Sequence, residues 1–293
     1  MGGDMKGTYT ALVTPFSDGG VDTKKLCELI DFQYKNGVDG VVLLGTTGES
    51  PTVSEMEADE IIYEGLKAAE GKIDVVIGCS SNSTAEALKK CRRATSLGAE
   101  KLLVLTPYYN KTNKEGMRRH FLTVAEGAGT KIIIYNVPSR TGCSVDAETL
   151  TELSAHENII GIKEASGNVS YAVSISPLIS DSFFMMSGCD DLMVPLMAIG
   201  ASGVISVASN IVPARVSDMT GAFLSGDAQR ARKIQIGLLP LISALFSEVN
   251  PIPVKTAMNI MKMNVGEFRL PLCKMSAEKR KILESAMRAE GLI

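Results

Sequence analysis

Lys163 is the residue whose type and setting most clearly suggest chemistry: it lies in Ile159-Ile160-Gly161-Ile162-Lys163-Glu164-Ala165, an otherwise mostly apolar run. Burying an ammonium among such neighbours is costly and favours the free amine. A neutral lysine amine attacks carbonyl carbons, which makes Lys163 a candidate Schiff-base nucleophile for a keto acid or aldehyde. The same spacing also fits a lysine at a strand end that reaches solvent or pairs with a carboxylate.

Other groups narrow the chemistry. His120 and His156 are the two histidines, and neither lies near a second metal ligand or a Ser/Asp partner in sequence, so a histidine triad and a histidine-ligated metal are not expected. The six cysteines contain no C-x-x-C pair and read as reduced thiols of a cytosolic protein without structural zinc. Net charge is −3 with both signs interspersed, which gives no basic stripe for nucleic acid or an anionic membrane. No apolar stretch is long enough to cross a bilayer without charges, so the reading is a cytoplasmic protein acting on small molecules.

The elements that must position these groups follow from periodicity. Short apolar, β-branched runs occur at residues 8–16, 40–45, 74–79, 101–107, 131–138, 159–166, 183–188 and 203–209. Stretches of helical periodicity lie between them, including 23–36, 55–70, 84–97 and 113–127. Eight alternating strand and helix units predict an α/β fold, a (β/α)8 (TIM) barrel, over residues 1–226. A doubly wound open sheet is the alternative, but no G-x-G-x-x-G follows the first strand. After residue 226 the rhythm stops, and 227–249, 253–262 and 276–290 predict a C-terminal helical domain of three helices over 227–293.

In a barrel of this kind the chemistry sits at the carboxyl ends of the strands. There the sequence offers Gly45-Thr46-Thr47-Gly48-Glu49-Ser50, then Thr106-Pro107-Tyr108-Tyr109-Asn110, and Tyr135-Asn136-Val137-Pro138-Ser139-Arg140-Thr141-Gly142. Ser187-Gly188 and Gly203-Val204-Ile205 follow on the last two strands. Taken singly, each has an ordinary reading: a capped turn, a packed tyrosine pair, a surface arginine.

Together, Gly45–Ser50, Tyr135–Gly142 and the Gly161–Ala165 strand resemble the signatures of the pyruvate-dependent class I lyases and, within them, the dihydrodipicolinate synthase family. The likeness runs from Val13-Thr14-Pro15-Phe16 to Asn250-Pro251-Ile252-Pro253-Val254-Lys255. The resemblance implies that Lys163 forms an imine with pyruvate, without a separate cofactor or metal, and that Tyr135, Thr47 and Tyr109 relay protons. Thr46 and the backbone near Gly188 and Ile205 are then expected to hold the pyruvate carboxylate, and Thr47 is expected to bind substrate as well. Arg140 offers a planar fork for the carboxylate of a second substrate, L-aspartate-4-semialdehyde, so the expected product is the hydroxy-tetrahydrodipicolinate ring that leads to diaminopimelate and lysine.

Competing readings are an N-acetylneuraminate lyase or a 2-keto-3-deoxy sugar acid aldolase on the same scaffold, which would share Lys163 and Tyr135, and a non-catalytic keto-acid sensor. The resemblance further implies a homotetramer built as a dimer of dimers, with Tyr109 reaching into the partner's site. It also implies a regulatory lysine site at Ser50, Asn82, Glu86 and Tyr108, although Glu55 and Ala58 stand where sensitive relatives often carry histidines.

Overall fold

The structure, a computed structural model, describes residues 5–17 and 19–293. Its main sheet is a closed parallel barrel of eight strands in sequence order: β1 (Gly7–Ala11), β2 (Gly40–Leu43), β3 (Asp74–Gly78), β4 (Lys101–Leu105), β5 (Lys131–Asn136), β6 (Ile159–Glu164), β7 (Phe184–Ser187) and β8 (Gly203–Ser206). Helices alternate with them: α1 (Thr23–Lys35), α2 (Glu55–Ala69), α3 (Thr84–Ser96), α4 (Lys114–Gly127), α5 (Ala147–Ser154), α6 (Val169–Ile175), α7 (Met193–Met197) and α8 (Pro213–Leu224). Three more, α9 (Ala228–Leu245), α10 (Ile252–Ile260) and α11 (Ala277–Ala289), form the expected C-terminal helical region. The chain is a (β/α)8 barrel with that extension.

Local chemistry explains where helices begin. Asp22, Ser54, Ser83, Asn113, Asp146, Asn168, Asp227 and Ser276 each cap a helix by accepting a backbone N–H three residues on. At α2 the cap is reciprocal, because the Glu57 side chain returns to the Ser54 backbone. The apolar strands are buried almost throughout, as a parallel sheet covered by helices requires.

One expected strand is shorter than its apolar run. Residues 8–16 do not form a single strand: β1 ends at Ala11, and Phe16–Ser17 instead pairs with Gly20–Val21 in a small antiparallel hairpin. Pro15 between them has no N–H to contribute to a ladder, and the Phe16 N–H goes to the Val265 carbonyl at 3.1 Å.

The chain divides into two compact units. Among the described residues, one comprises 5–7 and 75–205, the other 8–17, 19–74 and 206–293. The first carries Lys163, Tyr135, Arg140 and Tyr109; the second carries Thr46, Thr47, Glu49 and the three C-terminal helices.

Candidate active site

In the first unit, β5 and β6 place the two central groups side by side. Tyr135 and Lys163 are register partners on the paired strands, and the Lys163 Nζ lies 4.3 Å from the centre of the Tyr135 ring. Lys163 is 6% exposed and Tyr135 7% exposed, so the strand-end lysine reaching solvent is not what the fold adopts. The lysine stem has room because β7 is followed by Gly188. A Cβ there would stand 2.9 Å from Lys163 Cε and 2.6 Å from the Ala165 Cβ.

Strand alternation turns the next residues to the opposite face, where Asn136 and Glu164 are also register partners. Asn136 Nδ2 donates to the Glu164 carboxylate at 2.8 Å, and the Ser166 N–H donates to its other oxygen at 2.7 Å. Asn136 Oδ1 accepts from the Val145 N–H at 3.2 Å and from Ser144 Oγ at 3.0 Å, which fixes the amide orientation. Burial pushes the Glu164 carboxyl above its ordinary value, partly offset by the bonds from Asn136 and Ser166. A buried polar bridge therefore backs the two strands that carry Tyr135 and Lys163. The sequence reading missed it; the sign it left is a carboxylate directly after Lys163 in an apolar strand.

The loops after β4 and β5 are tied together. Arg140 sits on the helical turn Pro138–Thr141, which begins with proline and is closed by Gly142 at φ +70. Thr106 Oγ1 donates to Thr141 Oγ1 at 3.0 Å, Thr141 Oγ1 donates to the Cys143 carbonyl at 2.8 Å, and the Cys143 thiol donates to the Pro107 carbonyl at 3.0 Å. Arg140 is exposed beyond this anchored base. Tyr109 is 90% exposed and held at φ +67, a left-handed backbone that is uncommon for a bulky side chain. Asn110 Nδ2 bonds the Asn82 carbonyl at 3.0 Å, joining this loop to the one before α3. Asn82 precedes the Ser83 cap and so lies outside the helix, whereas Glu86 is in its first turn and exposed. Ile205 is buried in β8.

The second unit shapes the Gly45–Ser50 loop, which follows β2 through Leu44 at φ +55 and ends with Glu49 at φ +55. It is closed by Gly48 N to Gly45 O at 3.1 Å and Glu49 N to Thr46 O at 3.1 Å. Three successive residues are held from outside the loop. Asn250 Nδ2 donates to Thr47 Oγ1 at 2.9 Å, Thr14 Oγ1 to the Gly48 carbonyl at 2.7 Å, and Lys255 Nζ to Glu49 Oε1 at 2.6 Å. The Glu49 and Lys255 side chains are fully buried. Burial pushes the Lys255 ammonium down from its ordinary value, and the Glu49 carboxylate opposes this.

Glu49 also accepts the Arg269 N–H at 3.2 Å, and Lys255 also donates to the Glu267 carbonyl at 2.9 Å. Arg269 forks onto Glu57, which lowers that carboxyl to about 2. None of these partners was predicted. They lie more than two hundred residues apart in sequence for Glu49 and Lys255, and the one local sign was a lysine inside the apolar segment Ile252-Pro253-Val254-Lys255.

The fold and the lysine-centred strand pair place the chain among the (β/α)8-barrel enzymes. It belongs to the dihydrodipicolinate synthetase family, whose model matches residues 4–290. A 4-hydroxy-tetrahydrodipicolinate synthase from Thermoanaerobacter sp. (strain X514) is 46% identical over 290 residues, spanning 99% of this chain and 98% of that protein. The crystal structure of dihydrodipicolinate synthase from Aquifex aeolicus is 42% identical with a TM-score of 0.95, covering 98% of this chain and 99% of that one. A further solved relative, described as the first monomeric dihydrodipicolinate synthase variant, is 39% identical with a TM-score of 0.96, covering 98% and 97%.

Proposed function

We propose that this chain joins pyruvate to L-aspartate-4-semialdehyde through an imine on Lys163. The chain is a lyase with 4-hydroxy-tetrahydrodipicolinate synthase activity, the function named for its full-length relatives. The sialate and keto-deoxy sugar aldolase alternatives are not favoured by those relatives. The observation that carries the mechanism is the buried Lys163 amine held against the Tyr135 ring.

The steps follow from the chemistry of a primary amine and a keto acid. Lys163 Nζ adds to the keto carbon, and water leaves to give the imine. Loss of a methyl proton gives the enamine, whose carbon bonds to the aldehyde carbon of the semialdehyde. The semialdehyde amino group then attacks the imine carbon and displaces Lys163, closing the ring. One water is lost overall, and no cofactor beyond the lysine takes part.

Each of these steps moves a proton, and Tyr135, Thr47 and Tyr109 are assigned to move it. Thr46, Thr47, Gly188 and Ile205 hold the pyruvate carboxylate, and Arg140 holds the carboxylate of the semialdehyde. Exposure of Tyr109 in a left-handed backbone supports its use by a partner subunit in a dimer of dimers. Ser50, Asn82, Glu86 and Tyr108 make the regulatory lysine site. We place the barrel domain at residues 1–226 and the helical domain at 227–293. Among the described residues no helix is long and apolar enough to cross a membrane, which supports a cytoplasmic location.

Borohydride reduction in the presence of pyruvate tests the reading. The peptide containing Lys163 gains one pyruvate-derived mass in the native chain and none in Lys163→Ala. Absence of the adduct from the native chain overturns the mechanism. Mixed Tyr109→Phe and Lys163→Ala subunits regain activity if Tyr109 serves the neighbouring site; activity no greater than the sum of the parents, after confirmed exchange, assigns it to its own subunit.

A further inference from the structure

Two residues of the segment 250–255 grip two residues of the Gly45–Ser50 loop: Asn250 holds Thr47, and Lys255 holds Glu49. The two bonds differ in kind. Lys255 and Glu49 form a charged anchor with both side chains fully buried. Asn250 touches a hydroxyl that the reading above places against pyruvate, and Thr47 and Asn250 are 3% and 6% exposed.

A threonine hydroxyl has one proton to give and two lone pairs to accept with. An amide NH2 only donates. With Asn250 Nδ2 at 2.9 Å, Thr47 Oγ1 is the acceptor in that bond and its proton is left for another group. A carboxylate accepts only, so a threonine prepared in this way is matched to an anion.

We infer that Asn250 is a positioning residue that makes Thr47 an obligate hydrogen-bond donor to the pyruvate carboxylate. The inference rests on the imine reading and specifies how Thr47 meets the substrate carboxylate. The Glu49–Lys255 anchor fixes the far side of the same loop, so the Asn250 bond sets the direction of the Thr47 hydroxyl and not the path of the backbone. Were the Asn250 amide turned over, its Oδ1 would take the Thr47 proton and leave nothing for the substrate.

The test compares Asn250→Ala and Asn250→Asp with the native chain, reading pyruvate KM, semialdehyde KM, kcat and the pyruvate dependence of borohydride trapping on Lys163. Asn250→Ala is expected to raise pyruvate KM roughly 3- to 10-fold, with kcat and semialdehyde KM little changed. Asn250→Asp is expected to raise it further, because its carboxylate accepts the Thr47 proton and adds a negative charge beside the bound anion. In a Thr47→Val background, Asn250→Ala should add nothing to the change in pyruvate KM.

A loss confined to kcat, a pyruvate KM in Asn250→Asp equal to that of the native chain, or additive effects in the Thr47→Val background would overturn the inference. Should Asn250→Ala fail to fold, Asn250→Asp and Asn250→Ser keep the comparison, since both retain a polar side chain at that position. Failure of the native chain to trap pyruvate would sink the imine reading itself. Normal trapping, with a concentration dependence that no Asn250 variant alters, sinks the role of Asn250 alone.

Discussion

Tyr135 and Lys163 face each other across one rung of the β5–β6 ladder, with the amine 4.3 Å from the centre of the phenol ring. Backbone pairing fixes their spacing, and the Asn136–Glu164 bridge ties the next pair along the same two strands on the opposite face. Tyr135→Phe keeps the ring that packs on the lysine and removes only the hydroxyl. Its kcat is expected to fall by roughly 10²- to 10⁴-fold while thermal stability is little changed. Steady-state kinetics beside a melting curve separates this from misfolding; an unchanged kcat would remove Tyr135 from the proton path.

Gly188→Ala introduces a methyl group 2.9 Å from Lys163 Cε and 2.6 Å from Ala165 Cβ. Neither contact is tolerable without movement: the flexible lysine stem is displaced, and the Ala165 methyl, fixed to its backbone, forces a small backbone shift. The expected result is a folded protein whose rate of borohydride-trapped adduct formation falls at least tenfold. Wild-type trapping would mean that the stem has another route.

Arg140→Ala should leave pyruvate trapping intact. On the proposed role of the exposed guanidinium toward the second substrate, kcat/KM for the semialdehyde should fall by the equivalent of about 1.5–3 kcal/mol, the value of a hydrogen bond to a charged group. Arg140→Lys restores little, because an ammonium cannot form the planar fork. Equal losses toward both substrates would place Arg140 elsewhere.

Removing one member of the Glu49–Lys255 pair leaves a fully buried charge without its partner. Lys255→Met is expected to cost about 3–5 kcal/mol of unfolding free energy, and adding Glu49→Gln should return part of it by removing the unpaired charge. Urea denaturation of the two single variants and the double variant completes the cycle. Additive losses would show that the pair is not coupled.

His120 is buried beside Thr84, its Nδ1 3.0 Å from the threonine hydroxyl, and burial lowers its pKa to about 4. The unfolded chain binds the proton near pH 6.5, so between pH 6.5 and 4 the unfolded state carries more protons and stability falls as pH falls. The contribution is at most about 3 kcal/mol across that window. A His120→Asn variant should lose this part of the slope in denaturation midpoints measured from pH 7 to pH 4.5; an identical slope would contradict it.

Much of the architecture was legible because it is written in periodicity. Apolar β-branched runs matched all eight barrel strands, and Ser or Asn caps marked the starts of α2, α3 and α4. The run at 8–16 overshot its strand, which ends at Ala11 before the chain turns through Pro15 into a separate hairpin. Lys163 stood out because a charge in an apolar strand is conspicuous. Glu164 and Lys255 gave the same sign, but their partners Asn136 and Glu49 are chosen by the fold, and no local pattern encodes a pairing across 28 or 206 residues. The bond from Asn250 to Thr47 is hidden for the same reason, since an asparagine before proline reads locally as a turn.

The Asn136–Glu164 bridge also bears on how this catalyst can change. Its members are adjacent in sequence to Tyr135 and Lys163, yet lie on the opposite face of the two strands, so screens for altered specificity would find little to select at these positions and much to lose. Libraries that diversify whole strands would waste most members there. Sequence variation that widens the substrate range is instead channelled into the loops after β4 and β5, where Tyr109 and Arg140 project from an anchored base that substitution at their tips leaves standing.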